Sequence, residues 1–317
     1  VPDQLGAPLT TPLFDQLTII GLGLIGASLC RVARQQNLAR EVIGVDVDPN
    51  VRRRATEIGL VDRVAPSLED GVKDADLLIL CTPVGAMGDV AKSIGPHLKH
   101  GAILSDVGGS KASVIEAVGP HLPKEVHFIP GHPVAGTEYS GPDAGFASLF
   151  VNRWAILTPP DGVDPDALAR LAKFWTEAGA NIEVMSAAHH DIVLAITSHV
   201  PHLIAYNIVR TASDLEEVTQ AEVMKFSAGG FRDFTRIASS DPTMWRDVFL
   251  SNRDAVLETL GRFNEDLASL QRMVRDGDGQ GLFDLFTRTR AIRRGIIAQG
   301  QETAEADFGR RKSRERV

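Results

Sequence analysis

The sequence predicts an open, doubly wound parallel β-sheet followed by an all-helical half, on three observations. Between residues 17 and about 185, short apolar β-rich runs alternate with helical patterns, the alternation that parallel α/β sheets produce. Those runs are nearly continuous in apolar character, as strands covered on both faces must be. After Met185 the strand signal stops, and apolar residues recur at helical spacing.

Taken in order, residues 1–16 bear Pro, Thr and Asp, lack the charged start and apolar core of a signal peptide, and are expected to be a loose lead-in. The expected strands of domain 17–185 are LTIIGLG, EVIGVD, ADLLILCTP, AILSDVG, EVHFIPG, RWAILTP and NIEVM, with Gly or Pro at their ends. Domain 186–300 follows, with helical patterns over 186–212 (interrupted at Pro201), 216–226, 245–274 and 280–299. Residues 301–317 end in RRKSRERV and read as a polar, frayed tail.

Composition narrows the function. The 317 residues are 44% apolar and 23% charged, ordinary for a soluble globular protein. A net charge of −8 argues against nucleic acid as a partner, because such binding needs a basic surface. An anionic small molecule would have to be met by a few local cations. The two cysteines, Cys30 and Cys81, sit in apolar segments, which argues against a disulfide framework or a cysteine-rich metal site and fits a reducing cytoplasm. No apolar run reads as long enough to span a membrane.

LTIIGLGLIGASL places Gly21, Gly23 and Gly26 as G-x-G-x-x-G, directly after a strand and opening a helix at Leu24 and Ile25. Gly21 allows the tight turn, Gly23 lets backbone approach a diphosphate, and Gly26 lets helix and strand pack closely. The diphosphate then faces the helix N-terminus. Asp46 ends the next strand about 20 residues beyond Gly26, where a carboxylate accepts ribose hydroxyls and repels a 2′-phosphate. The expected cofactor is NAD on a Rossmann-type sheet. Arg52, Arg53 and Arg54 read as a solvated helix face. Thr82 and Pro83 end another strand, where cofactors lie in open parallel sheets; a plain strand-ending turn is the alternative.

Three further segments carry chemistry: SDVGGSK at another strand end, PGHPVAGTEYSG, and SHVPH with FRDFTRIASSDPTMWRD downstream. His132 lies in a Gly- and Pro-flanked loop, either as an acid–base group near neutral pH or as a loop histidine bonded to backbone. His199 and His202 share a helix face and, with His189, His190 and Asp191, invite a metal. The spacing is not that of H-E-x-x-H and no cysteine is near, so no metal is expected. Arg232, Arg236 and Arg246 alternate with Asp233, Asp241 and Asp247. Such clusters are usually solvated, but here Phe231, Phe234, Ile237 and Trp245 are interleaved. A partly buried arginine needs a partner, and a substrate carboxylate can be one.

Together, IIGLGLIGASL, DVGGSK, GHPVAGTE, SHVPH and GGFRDFTRIASSDPTMWRD, in that order, resemble the prephenate/arogenate (cyclohexadienyl) dehydrogenase family. The resemblance runs from about residue 17 to 300. It implies a nucleotide domain, a helical dimerisation domain, a homodimer, and NAD-dependent oxidative decarboxylation in tyrosine biosynthesis. The implied substrate is a cyclohexadiene with a ring carboxylate, a hydroxyl on the opposite carbon, and a pyruvyl or alanyl side chain. The resemblance makes His132 the group that polarises that hydroxyl and Arg236 the carboxylate-binding residue. Thr137, His199 and His202 match pocket positions. Glu138, Arg232 and Asp233 match an ionic network at the pocket mouth, and Trp245 a nearby aromatic. One departure stands out. The family pattern D-x-G-S has Gly109 here in place of its serine, and Ser110 follows. Either Ser110 substitutes, or water or another group supplies that hydrogen bond. The competing readings are a β-hydroxyacid or imino-acid dehydrogenase, faintly favoured by Lys111, and a non-catalytic NAD-sensing module.

Overall fold

The computed structural model describes residues 5–137, 139–219 and 229–298. Its main sheet has six strands: β1 (Phe14–Ile20), β2 (Ala39–Val45), β3 (Arg63–Val64), β4 (Leu77–Leu80), β5 (Ile103–Asp106) and β6 (His127–Phe128). Their order is β3-β2-β1-β4-β5-β6 and every pair is parallel, the Rossmann arrangement. Ile20 lies opposite Val45 on one side and Leu80 on the other, and Leu80 lies opposite Asp106. The C-terminal ends of β1, β2, β4 and β5 therefore finish along one edge.

Strand periodicity explains the continuous apolar runs. Leu17 and Ile19 of β1, with Leu77 and Ile79 of β4, enter one buried cluster. Ile20, Leu78 and Leu80 enter the cluster on the other face. Both faces are covered by helices: α1 (Leu24–Gln35), α2 (Pro49–Glu57), α3 (Leu68–Val72), α4 (Met87–Ile94), α5 (Ala112–Val118) and α6 (Pro165–Glu177). Each such Leu or Ile stabilises the fold by about 1.5–3 kcal/mol relative to exposure.

The sheet departs from the sequence reading in three places. Two-residue β3 is too short to leave a pattern. EVHFIPG breaks at Pro130, which has no N–H for the ladder. Beyond it, β7 (Gly131–Pro133), β8 (Trp154–Leu157) and β9 (Asn181–Val184) form a second sheet, with β7 antiparallel and β9 parallel to β8. RWAILTP and NIEVM thus extend this small sheet, not the main one. The lead-in is not loose throughout. β1 starts at Phe14, Leu9 and Leu13 donate backbone hydrogen bonds to Gln36 and Leu38 (both 3.0 Å), and Leu5, Leu9 and Leu13 pack on the core.

The helical half begins with α7 (Ala187–Leu194), a π-helical turn (Ala195–His199) and α8 (Val200–Thr219) in unbroken succession. Pro201 cannot donate to the preceding turn, and the widened π register absorbs that loss. Within this continuous helix the 29 residues Ala187–Leu215 are long and apolar enough by length and composition to cross a membrane. This corrects the sequence reading, which took Pro201 as a break. The buried residues of this helix include His190, Asp191 and His199, and their bonds to the rest of the protein are described below.

α9 (Gly229–Thr235), a 3-10 turn (Arg236–Ser239), α10 (Pro242–Ser251), α11 (Arg253–Asp276) and α12 (Gly279–Ala298) follow. The helix expected over 245–274 is interrupted at Asn252, whose side chain is buried. The tail 301–317 and part of the expected helix 216–226 lie outside the described residues. The chain divides into two compact units, Val1–Thr259 and Leu260–Val317, so both sheets and α7–α10 share one unit. In the second, Gly277 turns the chain at φ 68°, and Asp278 caps α12 by accepting from the Gly281 N–H at 2.8 Å. Leu267, Val274, Phe283, Phe286 and Ile292 stand exposed there.

Candidate active site

At the end of β1, Gly21 adopts φ +99°, and a Cβ there would stand 2.7 Å from the Cys81 carbonyl oxygen. A Cβ on Gly26 would lie 1.9 Å from the Gly21 carbonyl oxygen. Both positions therefore require glycine. A Cβ on Gly23 would meet nothing within 4 Å, so this face of the turn is open. Gly23 is the N-cap of α1, no side chain caps it, and no acid lies in the first turn with Leu24 and Ile25. The helix N-terminus thus presents backbone to an anion.

Asp46 follows β2. Its Oδ2 accepts from the Leu22 N–H (2.8 Å) and its Oδ1 from the Asp48 N–H (2.9 Å), fixing the half-buried carboxylate beside the glycine turn. Arg52 and Arg54 are not simply a solvated face. Arg52 donates to the backbone carbonyls of Asp46 (2.7 Å) and Val47 (3.0 Å), and Arg54 grips Asp143 through Nε and Nη2. Thr82 follows β4 and leads through Pro83 into a 3-10 turn; its hydroxyl oxygen is buried and has no hydrogen-bond partner. Glycine cradle, anchored carboxylate and orphaned hydroxyl fit a dinucleotide across the switch point between β1 and β4.

At the end of β5, Asp106 and Lys111 form a fully buried ion pair. Asp106 also accepts from the N–H groups of Gly108 (2.8 Å) and Gly131 (3.2 Å), while Lys111 Nζ donates to the Gly131 carbonyl (2.7 Å). Burial lowers the Lys111 pKa, and the Asp106 charge opposes that shift. The pair clamps both sides of the residue preceding His132. Lys111, the residue that faintly suggests a β-hydroxyacid dehydrogenase in the sequence, thus serves here to hold Asp106 and the Gly131 backbone. Ser110 is buried, with its hydroxyl shared between Ser113 (3.0 Å) and Ser251 (2.8 Å). A Cβ on Gly109 would lie 3.6 Å from Val248 and 3.9 Å from His199 Nε2, ordinary contact distances.

His132 is not in a loop but on β7, opposite Ile156 of β8. Its Nδ1 lies 2.8 Å from His190 Nε2, the rings meeting edge to face at 5.1 Å. His190 Nδ1 is in turn 2.8 Å from Asp191 Oδ1. The Asp191 carboxylate also accepts from the backbone N–H groups of Lys111 (2.7 Å) and Ala112 (2.9 Å). Burial pushes its pKa up, but the hydrogen bonds from His190, Ala112 and Lys111 outweigh that and hold it below the usual carboxylate range. Burial, then the neighbouring His190, Lys111 and His199, drive His132 well below an ordinary imidazole.

His199 closes the π turn and is buried. Asn252 donates through its amide nitrogen to the Asp191 carbonyl (2.8 Å) and lies 3.1 Å from His199 Nδ1. Nδ1 is therefore the acceptor and Nε2 carries the proton. Burial, aided by His190, lowers the His199 pKa to about 4. His202 donates from Nδ1 to the Ser198 carbonyl (2.9 Å) and stacks on Trp245 at 3.6 Å between centroids. Burial lowers its pKa, opposed by the bond to Ser198 and aided by the charge of Arg236, which is half-buried in the 3-10 turn packed on α8.

The structure thus joins Gly109, His132, His199, His202, Trp245 and Arg236 into one neighbourhood. α10 borders both halves of the site, since a Cβ on Gly85 would sit 3.3 Å from Asp247 Oδ2. Thr137 is exposed, its hydroxyl accepting from the Tyr139 N–H at 3.3 Å. Arg232 and Asp233 are exposed and 3.9 Å apart, and Glu138 lies outside the described residues. Among the described residues no group of three or more His, Cys, Asp or Glu is disposed to hold a metal. Sequence reasoning placed His190 and Asp191 only in a metal context and missed Asn252 and the Asp106–Lys111 clamp. The adjacent His-His-Asp was the available signal; Asn252 left none.

Residues 29–184 match the family model described as prephenate dehydrogenase, nucleotide-binding domain, and residues 186–288 that described as prephenate dehydrogenase, dimerization domain. The chain is 43% identical over 281 residues to a cyclohexadienyl dehydrogenase of Zymomonas mobilis, covering 89% of this chain and 96% of that one. It is 33% identical over 283 residues to a prephenate dehydrogenase of Bacillus subtilis, covering 89% and 76%. Among solved structures, prephenate dehydrogenase from A. aeolicus in complex with hydroxyphenyl propionate and NAD+ superposes with a TM-score of 0.83 at 30% identity, covering 91% and 99%. Synechocystis arogenate dehydrogenase gives 0.75 at 28%, covering 89% and 99%. On sequence, fold and the ordered set of site motifs, the chain belongs to the prephenate dehydrogenase family.

Proposed function

We propose that the protein is an NAD-dependent dehydrogenase that oxidatively decarboxylates prephenate, arogenate or both, yielding 4-hydroxyphenylpyruvate or tyrosine. The observation that carries this reading is His132: a neutral, half-buried imidazole with one nitrogen engaged by His190, held on a strand beside the cofactor cradle. Its other nitrogen can accept a hydrogen bond from the substrate's ring hydroxyl and take its proton. NAD, when bound, supplies the hydride acceptor. Gly21, Gly23, Gly26, Leu24 and Ile25 would hold its diphosphate through backbone, Asp46 would take the ribose hydroxyls, and Thr82 with Pro83 lies at a strand end where a cofactor crosses an open parallel sheet. Loss of carbon dioxide needs no further catalyst, because it aromatises the ring.

Arg236 binds the substrate carboxylate. In a chain of net charge −8, a local guanidinium is what recognises such an anion. His199, proton on Nε2, and His202 line the pocket with Thr137. Arg232 and Asp233 border its mouth. Ser110 does not stand in for the family serine at 109, because its hydroxyl serves Ser113 and Ser251. The working form is a cytoplasmic homodimer assembled through the helical half. Its support is the matched dimerization domain and the exposed Ile196, Leu257, Phe283 and Ile292. Use of both substrates is favoured, the cyclohexadienyl dehydrogenase of Z. mobilis being similar over nearly its whole length.

The test is absorbance of NADH together with carbon dioxide release when purified protein and NAD receive prephenate or arogenate. Equimolar NADH and carbon dioxide are expected with at least one, and the ratio of kcat/KM values assigns the preference. Absence of NADH with both would overturn the reading.

A further inference from the structure

We propose that His190 and Asp191 form a positioning dyad that fixes the tautomer of His132 and shares the charge it acquires when it takes the substrate's proton. This rests on His132 being the base.

The direction of every hydrogen bond follows from one end. Asp191 is an acceptor on all sides: its oxygens receive the backbone N–H groups of Lys111 and Ala112. A carboxylate so held is ionised and cannot donate. His190 Nδ1, at 2.8 Å, must therefore carry a proton toward it. A neutral His190 then has only a lone pair on Nε2. His132 Nδ1, 2.8 Å away, must be the donor of that bond. The proton of neutral His132 is thereby placed on Nδ1, and Nε2 is left as the lone pair that abstracts. Without the dyad, an imidazole populates both tautomers and turns about its side-chain torsions.

The dyad also answers an electrostatic problem. His132 faces the fixed charge of Lys111 from the β5–α5 connection, partly offset by Asp106, and faces His190 and His199 from the π-interrupted helix. All but Asp106 and the more distant Asp191 oppose a positive charge on His132. When Nε2 takes the hydroxyl proton, the Nδ1–H bond to His190 strengthens, and the polarised His190 ring transmits the Asp191 charge to the new imidazolium. Asp191 stays ionised throughout, and no proton need leave His132 until product departs. The logic is that of a carboxylate orienting a catalytic histidine, with one histidine interposed.

Two measurements test this. In the unaltered protein, nitrogen NMR of labelled histidines near pH 8 should find His132 protonated on Nδ1 alone and His190 likewise. An Nε2–H tautomer at His132 overturns the proposal without any mutation. Second, His190→Gln and Asp191→Asn should each lower kcat by roughly a hundredfold or more, the scale of acid–base catalysis, with KM and NAD affinity changed less than about threefold. The acidic limb of the kcat profile should shift in both. A merely structural role would reduce the active fraction and thermal stability while leaving that limb in place, and this result counts against the dyad. If His132→Asn abolishes turnover but both dyad variants keep normal kcat and pH profile, the base assignment survives and the dyad fails. If His132→Asn itself turns over normally, the base assignment fails first.

Discussion

At the ends of β1, β2 and β4 the site is made of backbone: a glycine turn, a helix N-terminus and one carboxylate tethered to main-chain N–H groups. At the end of β5 and on β7 it is made of buried side chains bonded to one another: Asp106 to Lys111, Asp191 to His190 to His132, Asn252 to His199. The first region takes a ligand whose parts are alike wherever it binds, so shape and open amides suffice. On the proposed reaction the second holds one nitrogen lone pair beside one hydroxyl, which requires each neighbour to be fixed by the next. The contrast separates recognition by cavity from chemistry by orientation.

The largest expected effect in the second region that spares the first is at Arg236. On the proposed role, Arg236→Ala removes a charge-assisted contact to the substrate, costing about 2–5 kcal/mol of binding. KM should rise steeply while NAD affinity, read by titration calorimetry, stays put. An unchanged KM would make Arg236 a structural member of the charge cluster instead.

The two regions should also respond differently to acid. His132, His190, His199 and His202 are all held below the ordinary imidazole range, chiefly by burial. Unfolding frees each to take a proton near pH 6.5. Their contribution to stability is therefore complete above that pH and is lost as pH falls; for His199 the loss runs down to about 4. Each such histidine contributes a slope of up to about 1.4 kcal/mol per pH unit in its window. Denaturant midpoints should fall steadily below pH 6.5. A midpoint flat to pH 5 would mean these rings are already charged in the folded protein.

A smaller change sharpens the cofactor side. Asp46→Ser removes the carboxylate that repels a 2′-phosphate, so the ratio of kcat/KM for NAD over NADP should narrow. The substrate KM should hold, since Asp46 bonds only near the glycine turn. Equal efficiency with NADP in the unaltered protein would remove the role given to Asp46.

The same contrast decides what was legible. Gly21, Gly23, Gly26 and Asp46 are close in sequence and each answers a local geometric demand, so their motif could be read directly. His132, Arg236, His199 and His202 stand out in the sequence by residue type and context, but only the ordered family pattern gives each a specific role. The bond between His132 and His190 spans 58 positions and that between Asn252 and His199 spans 53; no local pattern encodes either. In the sequence His190 and Asp191 stand out only as part of a histidine–carboxylate group that invites a metal and does not fit one, because their partners His132 and Lys111 lie 58 and 80 positions away. The sequence reads as a loop at His132 because Gly131, Pro130 and Pro133 flank it, while its pairing with β8 comes from residues more than twenty positions away. Pro201 reads as an interruption of the helix because a π turn cannot be anticipated from composition.

If His132 takes the hydroxyl proton, the pH dependence of kcat for the unaltered protein and for His132→Asn shows it. The unaltered protein should have an acidic limb. The variant should have kcat lower by roughly a hundredfold to ten-thousandfold, little change in KM, and no limb. Near-normal turnover in the variant, or a limb that persists unchanged, would contradict it and pass the role to His199 or His202.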